Sequence, residues 1–411
     1  MINKKTIYIS SVGGSLEFFD FMIFIYLYPV LIKKFFPETT NSFVATLITI
    51  MTIILSYIAK PVGGIIYGII GDRYGIDKSF KSILFLISIS TLGIAFLPTY
   101  SDIGFLSTVL LVLIRIIQGI ANGGDVPTTV VYIFENNDDK ISALSFLFFC
   151  FTMGSTVASL FASLFLNFKY FFPENIYFRI PFMIGGFSTL LAYYMRKKYI
   201  YIHKKKNNNF NFVKIFNLDN FKKLSNYILI YGFGNTLMAN YFVITPNVYI
   251  NKVYKNHNNI QYIISLSLFI MAALSFVSGK ISLKIGFKRN YYIGILLCII
   301  FAPFYFYMIG SGNILNFCIA QLSAGLVCAP IFGNIYMLIC SQLEDLNRLT
   351  NFGIICNIAT SIFPSLTSAI VILLINHNVI NVLPSLIIIT YGVFLIFLLL
   401  KSKINKKQEL I

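Results

Sequence analysis

Long apolar segments are the feature of this sequence that most restricts its fold. A helix needs about 20 mainly apolar residues to cross a bilayer, and twelve segments approach or exceed that length. With 57% hydrophobic and 11% charged residues, the chain carries more apolar side chains than a water-soluble core could bury. We therefore expect the lipid bilayer to surround most of it. The segments cover residues 8–32, 43–70, 80–98, 104–126, 142–166, 177–195, 225–250, 262–282, 290–309, 314–340, 351–375 and 384–400.

The segments favour helices over a membrane β-barrel, whose strands would show short stretches of alternating hydrophobicity. The longest polar interruption, rich in Lys, falls between the sixth and seventh segments. The sequence thus predicts an all-α membrane protein with twelve transmembrane helices. We predict an N-terminal six-helix bundle over 1–195, a basic cytoplasmic linker over 196–224, and a C-terminal six-helix bundle with a short tail over 225–411.

The basic residues predict the orientation. If both termini are cytoplasmic, most of the 32 Lys and Arg residues lie on the cytoplasmic side, which is the positive-inside pattern. The net charge of +17 is then a topology signal, and no nucleic-acid partner is expected, since the basic residues lie in short loops. Abundant Asn, Lys and Ile without Trp suggest an AT-rich bacterial genome, so we expect a multi-pass protein of a bacterial inner membrane. The outer loops would hold Lys33, Lys34, Lys169, Lys252 and Lys255.

A loop motif occurs twice at equivalent places. Residues 68–78 read Gly-Ile-Ile-Gly-Asp-Arg-Tyr-Gly-Ile-Asp-Lys, and residues 279–289 repeat their glycine and basic spacing. This pattern resembles the signature of the major facilitator superfamily, in which two pseudo-symmetric six-helix bundles enclose a substrate site. The resemblance implies that Asp72, Arg73 and Gly75 take part in gating between the bundles. The alternative is a plain solvated loop.

More of the chain resembles one branch, the metabolite:proton symporter family, whose members include proline and glycine-betaine transporters and carriers of organic acids. The match implies a small-molecule substrate and protons as partners, and we expect a monomer without cofactor or metal. Lys60 and Asp125 stand where the family has Arg and Glu, and Leu283 replaces the acid of the second loop. The matching motifs are Gly13-Gly-Ser-Leu-Glu17-Phe-Phe-Asp20, Ala59-Lys60-Pro61-Val-Gly63-Gly64, Arg115-Ile-Ile-Gln118-Gly119 with Gly123-Gly124-Asp125, Phe178-Arg179-Ile-Pro181-Phe182, and Arg348-Leu-Thr350 with Asn357.

Ionisable residues within the apolar segments are the candidates for the chemistry, because a charge at the centre of a spanning helix costs about 2.5–3.5 kcal/mol on insertion scales. Glu17 and Asp20 are three residues apart and share a helix face. A carboxylate that approaches and leaves Lys60 or Arg115 would take up and release a proton during a transport cycle. A fixed structural ion pair is the alternative.

Arg115, Gly119 and Gly123 recur every four residues, which places the cation beside two glycines that allow a neighbouring helix to approach. The guanidinium suits a carboxylate, either the substrate's own or one from the first helix. Gln118 could line the same cavity, and Asp125, nearer the cytoplasmic end, could act in gating.

In the second half, Asn357 is the strongest polar candidate because of the family match. Interhelical hydrogen bonding is its alternative role.

Three function classes follow. The first is a secondary transporter that works by alternating access and is driven by a proton gradient. Its leading substrate is a zwitterion such as proline or betaine, and the alternative substrate is an organic acid such as a dicarboxylate. The second class is a non-transporting sensor or an inactive carrier, which the altered loop motifs suggest. The third class, a membrane enzyme, is not expected, because no paired His and acid occur at membrane depth.

Overall fold

The computed structural model describes residues 4–37, 42–167, 176–199, 217–254, 260–376 and 382–401. Within them, helices occupy all twelve predicted apolar segments, as the hydropathy pattern indicated. Nine of the described helices are long and apolar enough to cross a membrane, and the last is a shorter apolar helix. The helices are α1 (Lys4–Phe35), α2 (Ser42–Tyr74), α3 (Ile76–Phe96), α4 (Phe105–Glu135), α5 (Lys140–Asn167), α6 (Ile180–Tyr199), α7 (Leu218–Leu237), α8 (Ile260–Ile285), α9 (Phe287–Ile309), α10 (Ile314–Phe332), α11 (Arg348–Asn376) and α12 (Ser385–Lys401).

Helix α7 does not end at Leu237 but passes through a π-helical stretch, Met238–Val243, and continues as Ile244–Lys252. The backbone carbonyl of Tyr241 in this stretch accepts hydrogen bonds from the Tyr305 hydroxyl (3.0 Å) and the Gln321 amide (2.7 Å). A π-helical turn disturbs the i→i−4 ladder, and here it presents a carbonyl to two neighbouring helices.

Contacts between Cα atoms divide the chain into two compact units. The first contains residues 1–138, 150–215 and 343–357, and the second contains the rest. Most of the predicted linker lies outside the described residues. Of the part that is described, residues 196–199 continue α6 and residues 218–224 begin α7.

Helices α2 and α4 approach each other closely in the first unit. A Cβ atom added at Gly119 would overlap the backbone carbonyl of Ser56, and one added at Gly123 would overlap that of Lys60. Gly63 of α2 faces the backbone of α4 in the same way. The expectation that Gly119 and Gly123 permit a tight helix contact is confirmed.

The two copies of the loop motif adopt the same backbone. Gly75 and Gly286 have φ angles of 109° and 87°, and each immediately precedes the following helix. A side chain near the start of that helix then donates a hydrogen bond back to the preceding helix. Ser79 donates to the carbonyl of Tyr67 (2.7 Å), and Asn290 donates to that of Ser278 (3.0 Å). The sequence repeat is therefore also a structural repeat, in which glycine supplies the left-handed turn.

Candidate functional site

Three buried charges from three helices form an ion-pair triad in the first unit. The Arg196 guanidinium of α6 lies 3.0 Å from the Glu17 carboxylate of α1 and 3.9 Å from the Asp125 carboxylate of α4. Each of these side chains is at most 2% exposed. One cation thus serves two carboxylates, and Arg196 is the partner that sequence reasoning missed.

The surroundings of Arg196 explain why the chain tolerates it there. Its Nη2 donates to the carbonyl of Ser10 (2.8 Å), and its guanidinium lies over the Phe80 ring at 4.6 Å. A Cβ atom at Gly13 would come within 2.7 Å of the Arg196 Nε, so that only glycine leaves room for the guanidinium. The close neighbour of Gly13 is therefore a side chain.

Asp20 belongs to a second buried network. Its Oδ2 accepts hydrogen bonds from the Thr91 hydroxyl (2.6 Å) and the Gln118 amide (2.8 Å). The Gln118 Oε1 in turn accepts from Arg115 Nη1 at 2.6 Å. The structure thus brings three predicted residues together, with the amide linking the carboxylate to the guanidinium. Glu17, one turn earlier on α1, has a different partner.

Arg115 has hydrogen-bonding capacity to spare. Its side chain is fully buried, and its guanidinium lies 3.8 Å from the centre of the Phe24 ring. Among the described residues, Arg115 Nε and Nη2 have no hydrogen-bond partner, and neither has Asp20 Oδ1. Because a buried guanidinium with unused donors is costly, Arg115 Nε and Nη2 are suited to an incoming anionic group.

Lys60 is held by aromatic rings. Its ammonium lies 4.0 Å from the centre of the Phe21 ring and 4.2 Å from that of Tyr57. The Arg115 guanidinium approaches the same Phe21 ring at 5.3 Å. Within the described part of the chain, neither cation lies within ion-pair distance of a carboxylate. The two cations therefore flank one ring, beside the Asp20 network.

Asp72, a predicted gating residue, caps a helix distant in sequence. Its carboxylate accepts from the backbone N–H of Leu349 (3.2 Å) and of Thr350 (2.8 Å), and from the Thr350 hydroxyl (2.6 Å). These groups lie in the first turn of α11, where backbone N–H groups have no intrahelical partner. Arg73 is exposed, with its guanidinium 5.2 Å from the centre of the Tyr74 ring.

Two further contacts join α11 to the first-half helices. Arg348 pairs with Glu135 at the end of α4 (3.1 Å) and with Asp345. The Asn357 amide donates to the Gly123 carbonyl of α4 (2.7 Å) and to the Gly353 carbonyl one turn before it (2.8 Å). Asn357 therefore makes the interhelical contact that was weighed against substrate binding.

The comparisons with known proteins agree with this architecture. The model of the Major Facilitator Superfamily matches residues 11–355. The chain belongs to the major facilitator superfamily. Its described helices that are long and apolar enough to cross a membrane fit this family, and the superfamily assignment made from the loop motifs is confirmed.

The chain resembles several curated proteins and solved structures, and it spans only 65% of the length of the first of these proteins. A putative proline/betaine transporter of Staphylococcus aureus (strain MSSA476) is 28% identical over 306 residues, which are 71% of this chain and 65% of that protein. The proline/betaine transporter of Salmonella typhimurium is 31% identical over 137 residues, 33% of this chain and 27% of that protein.

The proton:xylose symporter XylE bound to 6-bromo-6-deoxy-D-glucose superposes with a TM-score of 0.76 at 17% identity, covering 96% of this chain and 94% of XylE. The human organic anion transporter MFSD10 gives 0.69 at 11% identity, covering 96% and 98%. The two solved structures show the fold alone.

Proposed function

We propose that this chain is a proton-coupled symporter of a small zwitterionic solute such as proline or betaine, and that it works by alternating access with both termini cytoplasmic. The observation that carries the proposal is the chain of contacts from the Asp20 carboxylate through Gln118 to Arg115. It links a buried proton acceptor to a guanidinium with unused donors. The relatives named proline/betaine transporters support the substrate class.

The amide gives the coupling a physical route. An ionised Asp20 only accepts hydrogen bonds, so the Gln118 NH₂ group turns toward it and the Gln118 carbonyl turns toward Arg115. A protonated Asp20 can donate, which favours the opposite orientation of the amide. Gln118 would then present its NH₂ group to Arg115, which cannot accept a hydrogen bond. Protonation at Asp20 thus frees Arg115 to bind the substrate carboxylate.

The contacts at the start of α11 fit a role in switching. Asp72 and the pair between Glu135 and Arg348 fix the first turn of α11 against the ends of α2 and α4. Alternating access requires such contacts to break and reform, and a capping carboxylate of this kind is worth about 0.5–2 kcal/mol, which is small enough to be reversible. We assign Asp72 to gating on this basis, with Arg73 and Gly75 shaping the loop. We assign Asp125 to gating through its ion pair with Arg196, which connects α4 to α6.

Uptake into proteoliposomes tests the proposal. Radiolabelled proline and glycine betaine should accumulate when an inward proton gradient is imposed and should only equilibrate without it. Asp20→Asn should abolish the response to the gradient. Asp138→Asn, at an exposed carboxylate between α4 and α5, is the matched control and should leave uptake unchanged. Accumulation by Asp20→Asn equal to that of the unmodified protein would refute the role of Asp20.

A carboxylate substrate without an ammonium group is the second candidate. It is favoured by the two cations, Lys60 and Arg115, which have no described carboxylate within ion-pair distance. The same assay with a panel of mono- and dicarboxylates distinguishes the candidates. Stronger competition by a dicarboxylate than by betaine would select the organic acid.

A further inference from the structure

We propose that the corner formed by the Phe21 and Tyr57 rings is the subsite for the ammonium group of the substrate, and that the Lys60 ammonium occupies this corner as a built-in competitor. The inference rests on the proposed zwitterionic substrate and adds the residues that recognise its cationic end. It also predicts which cations the chain excludes.

The geometry of the corner is that of a cation site. The two ring centres lie 5.6 Å apart with an interplanar angle of 76°, so one cation can contact both rings. The Lys60 ammonium does so, at 4.0 Å and 4.2 Å from the two centres. A cation within about 6 Å of a ring centre is attracted by the ring quadrupole, and aromatic corners of this kind recognise quaternary ammonium groups.

The position of Arg115 fixes the direction in which a zwitterion would lie. The guanidinium approaches the Phe21 ring at 5.3 Å and has two buried nitrogen atoms, Nε and Nη2, without a described hydrogen-bond partner. A substrate whose ammonium enters the corner therefore places its carboxylate toward Arg115. Lys60, displaced from the rings, remains on the same stretch of α2 and can join Arg115 at that carboxylate.

Hydration determines which cation prevails in the corner. The lysine ammonium is compact and strongly hydrated, with three N–H donors that the rings do not satisfy. The ammonium group of betaine has no N–H donor, so its transfer onto the rings leaves no donor unpaired. The substrate ammonium should therefore replace Lys60 when a carboxylate accompanies it to compensate the displaced charge. A bare onium ion provides no such compensation and is excluded.

Isothermal titration of the full chain in detergent tests the subsite with a pair of isosteric ligands. Glycine betaine and 3,3-dimethylbutanoate have the same shape and carboxylate, but the second has carbon in place of the charged nitrogen. Betaine should bind about tenfold or more tightly, the size expected of a desolvated cation–π contact. Equal affinity of the two ligands would overturn the subsite, and this comparison requires no variant.

Variants then locate the contact. Tyr57→Leu and Phe21→Leu should each weaken betaine about tenfold and leave 3,3-dimethylbutanoate unchanged, while Tyr57→Phe, which keeps the ring, should bind both as before. Equal losses for the two ligands would also overturn the proposal.

The competitor role of Lys60 has a separate readout. Lys60→Met should acquire binding of tetramethylammonium, which the unmodified chain should not bind, and adding Phe21→Leu should remove it. No gain in Lys60→Met would refute the competitor role. Failure of the proposed function can be told apart from failure of the subsite. The first would appear as absent uptake of every zwitterion, whereas the subsite is judged only by the binding measurements.

Discussion

The Arg196 triad supports a quantitative prediction about stability. Arg196→Met removes the only cation that contacts the Glu17 and Asp125 carboxylates in the described triad, and it leaves both buried. At an effective dielectric constant of about 20, the contacts of 3.0 Å and 3.9 Å correspond to attractions of roughly 5–6 and 4 kcal/mol. Lost hydration and repulsion between the carboxylates offset part of this. The measured cost of removing one partner of a buried pair is about 3–5 kcal/mol, which is the loss we expect.

The free energy of unfolding can be measured by SDS titration in mixed micelles. Lys197→Met, at the exposed neighbour of Arg196, is the matched control and should change stability by less than about 0.5 kcal/mol. Adding Glu17→Gln and Asp125→Asn to Arg196→Met should recover most of the loss, because no unpaired charge then remains buried. Equal stability of Arg196→Met and Lys197→Met, or strictly additive losses in the triple variant, would refute the triad as an ion-pair unit.

Three further predictions concern other positions. Asp72→Ala should destabilise the start of α11 by about 1–2 kcal/mol in hydrogen exchange, whereas Asp77→Ala, which removes a partly exposed ion pair with Lys81, should cost about 0–0.5 kcal/mol; similar effects would contradict the capping role. Gly123→Ala should strongly reduce the folded yield, because its Cβ overlaps an α2 carbonyl, and a normal yield would contradict the close helix contact. Hydrogen bonds from Thr99 lower the pKa of the Asp102 carboxyl below its value in the unfolded chain. The ionised carboxyl therefore stabilises this turn fully at pH values above the unfolded pKa, and the stabilisation is lost as the pH falls through the lower folded pKa. Hydrogen exchange in this turn should therefore quicken in acid, and Asp102→Asn should show no such transition.

The sequence predicted the parts of this fold that depend on local pattern. The length of the apolar segments predicted the helices, because any helix that spans the bilayer needs about 20 mainly apolar residues. The spacing of Gly119 and Gly123 gave the close contact between α2 and α4, because residues four apart share one helix face. The repeated loop motif predicted equivalent loops at two places, and each of them contains a glycine with a positive φ, Gly75 or Gly286.

The partners of the buried charges could not be predicted in the same way. Arg196 begins a run of three basic residues, and such a run is typical of a cytoplasmic loop. The sequence around Arg196 therefore did not indicate that its side chain is buried. Glu17 carried the available signal, because a carboxylate at membrane depth requires a cation. Which cation it finds depends on how α1 packs against α6, and this is decided by tertiary structure.

The π-helical stretch of α7 could not be predicted from the sequence either. Residues 225–250 read as one apolar segment, and nothing in their periodicity distinguishes a π-turn from an α-turn. The hydrogen bonds from Tyr305 and Gln321 to the Tyr241 carbonyl come from helices more than sixty residues away in sequence. Tertiary contacts again decide a local feature.

The most direct test of proton-coupled symport is the movement of protons driven by substrate alone. Proteoliposomes that contain the full chain and a trapped pH-sensitive dye are given an inward gradient of glycine betaine, with no pH difference and with the membrane potential clamped by potassium and valinomycin. The account predicts that the lumen becomes more acidic as betaine enters, and that Asp20→Asn removes this acidification. Entry of betaine without any change in luminal pH would contradict it.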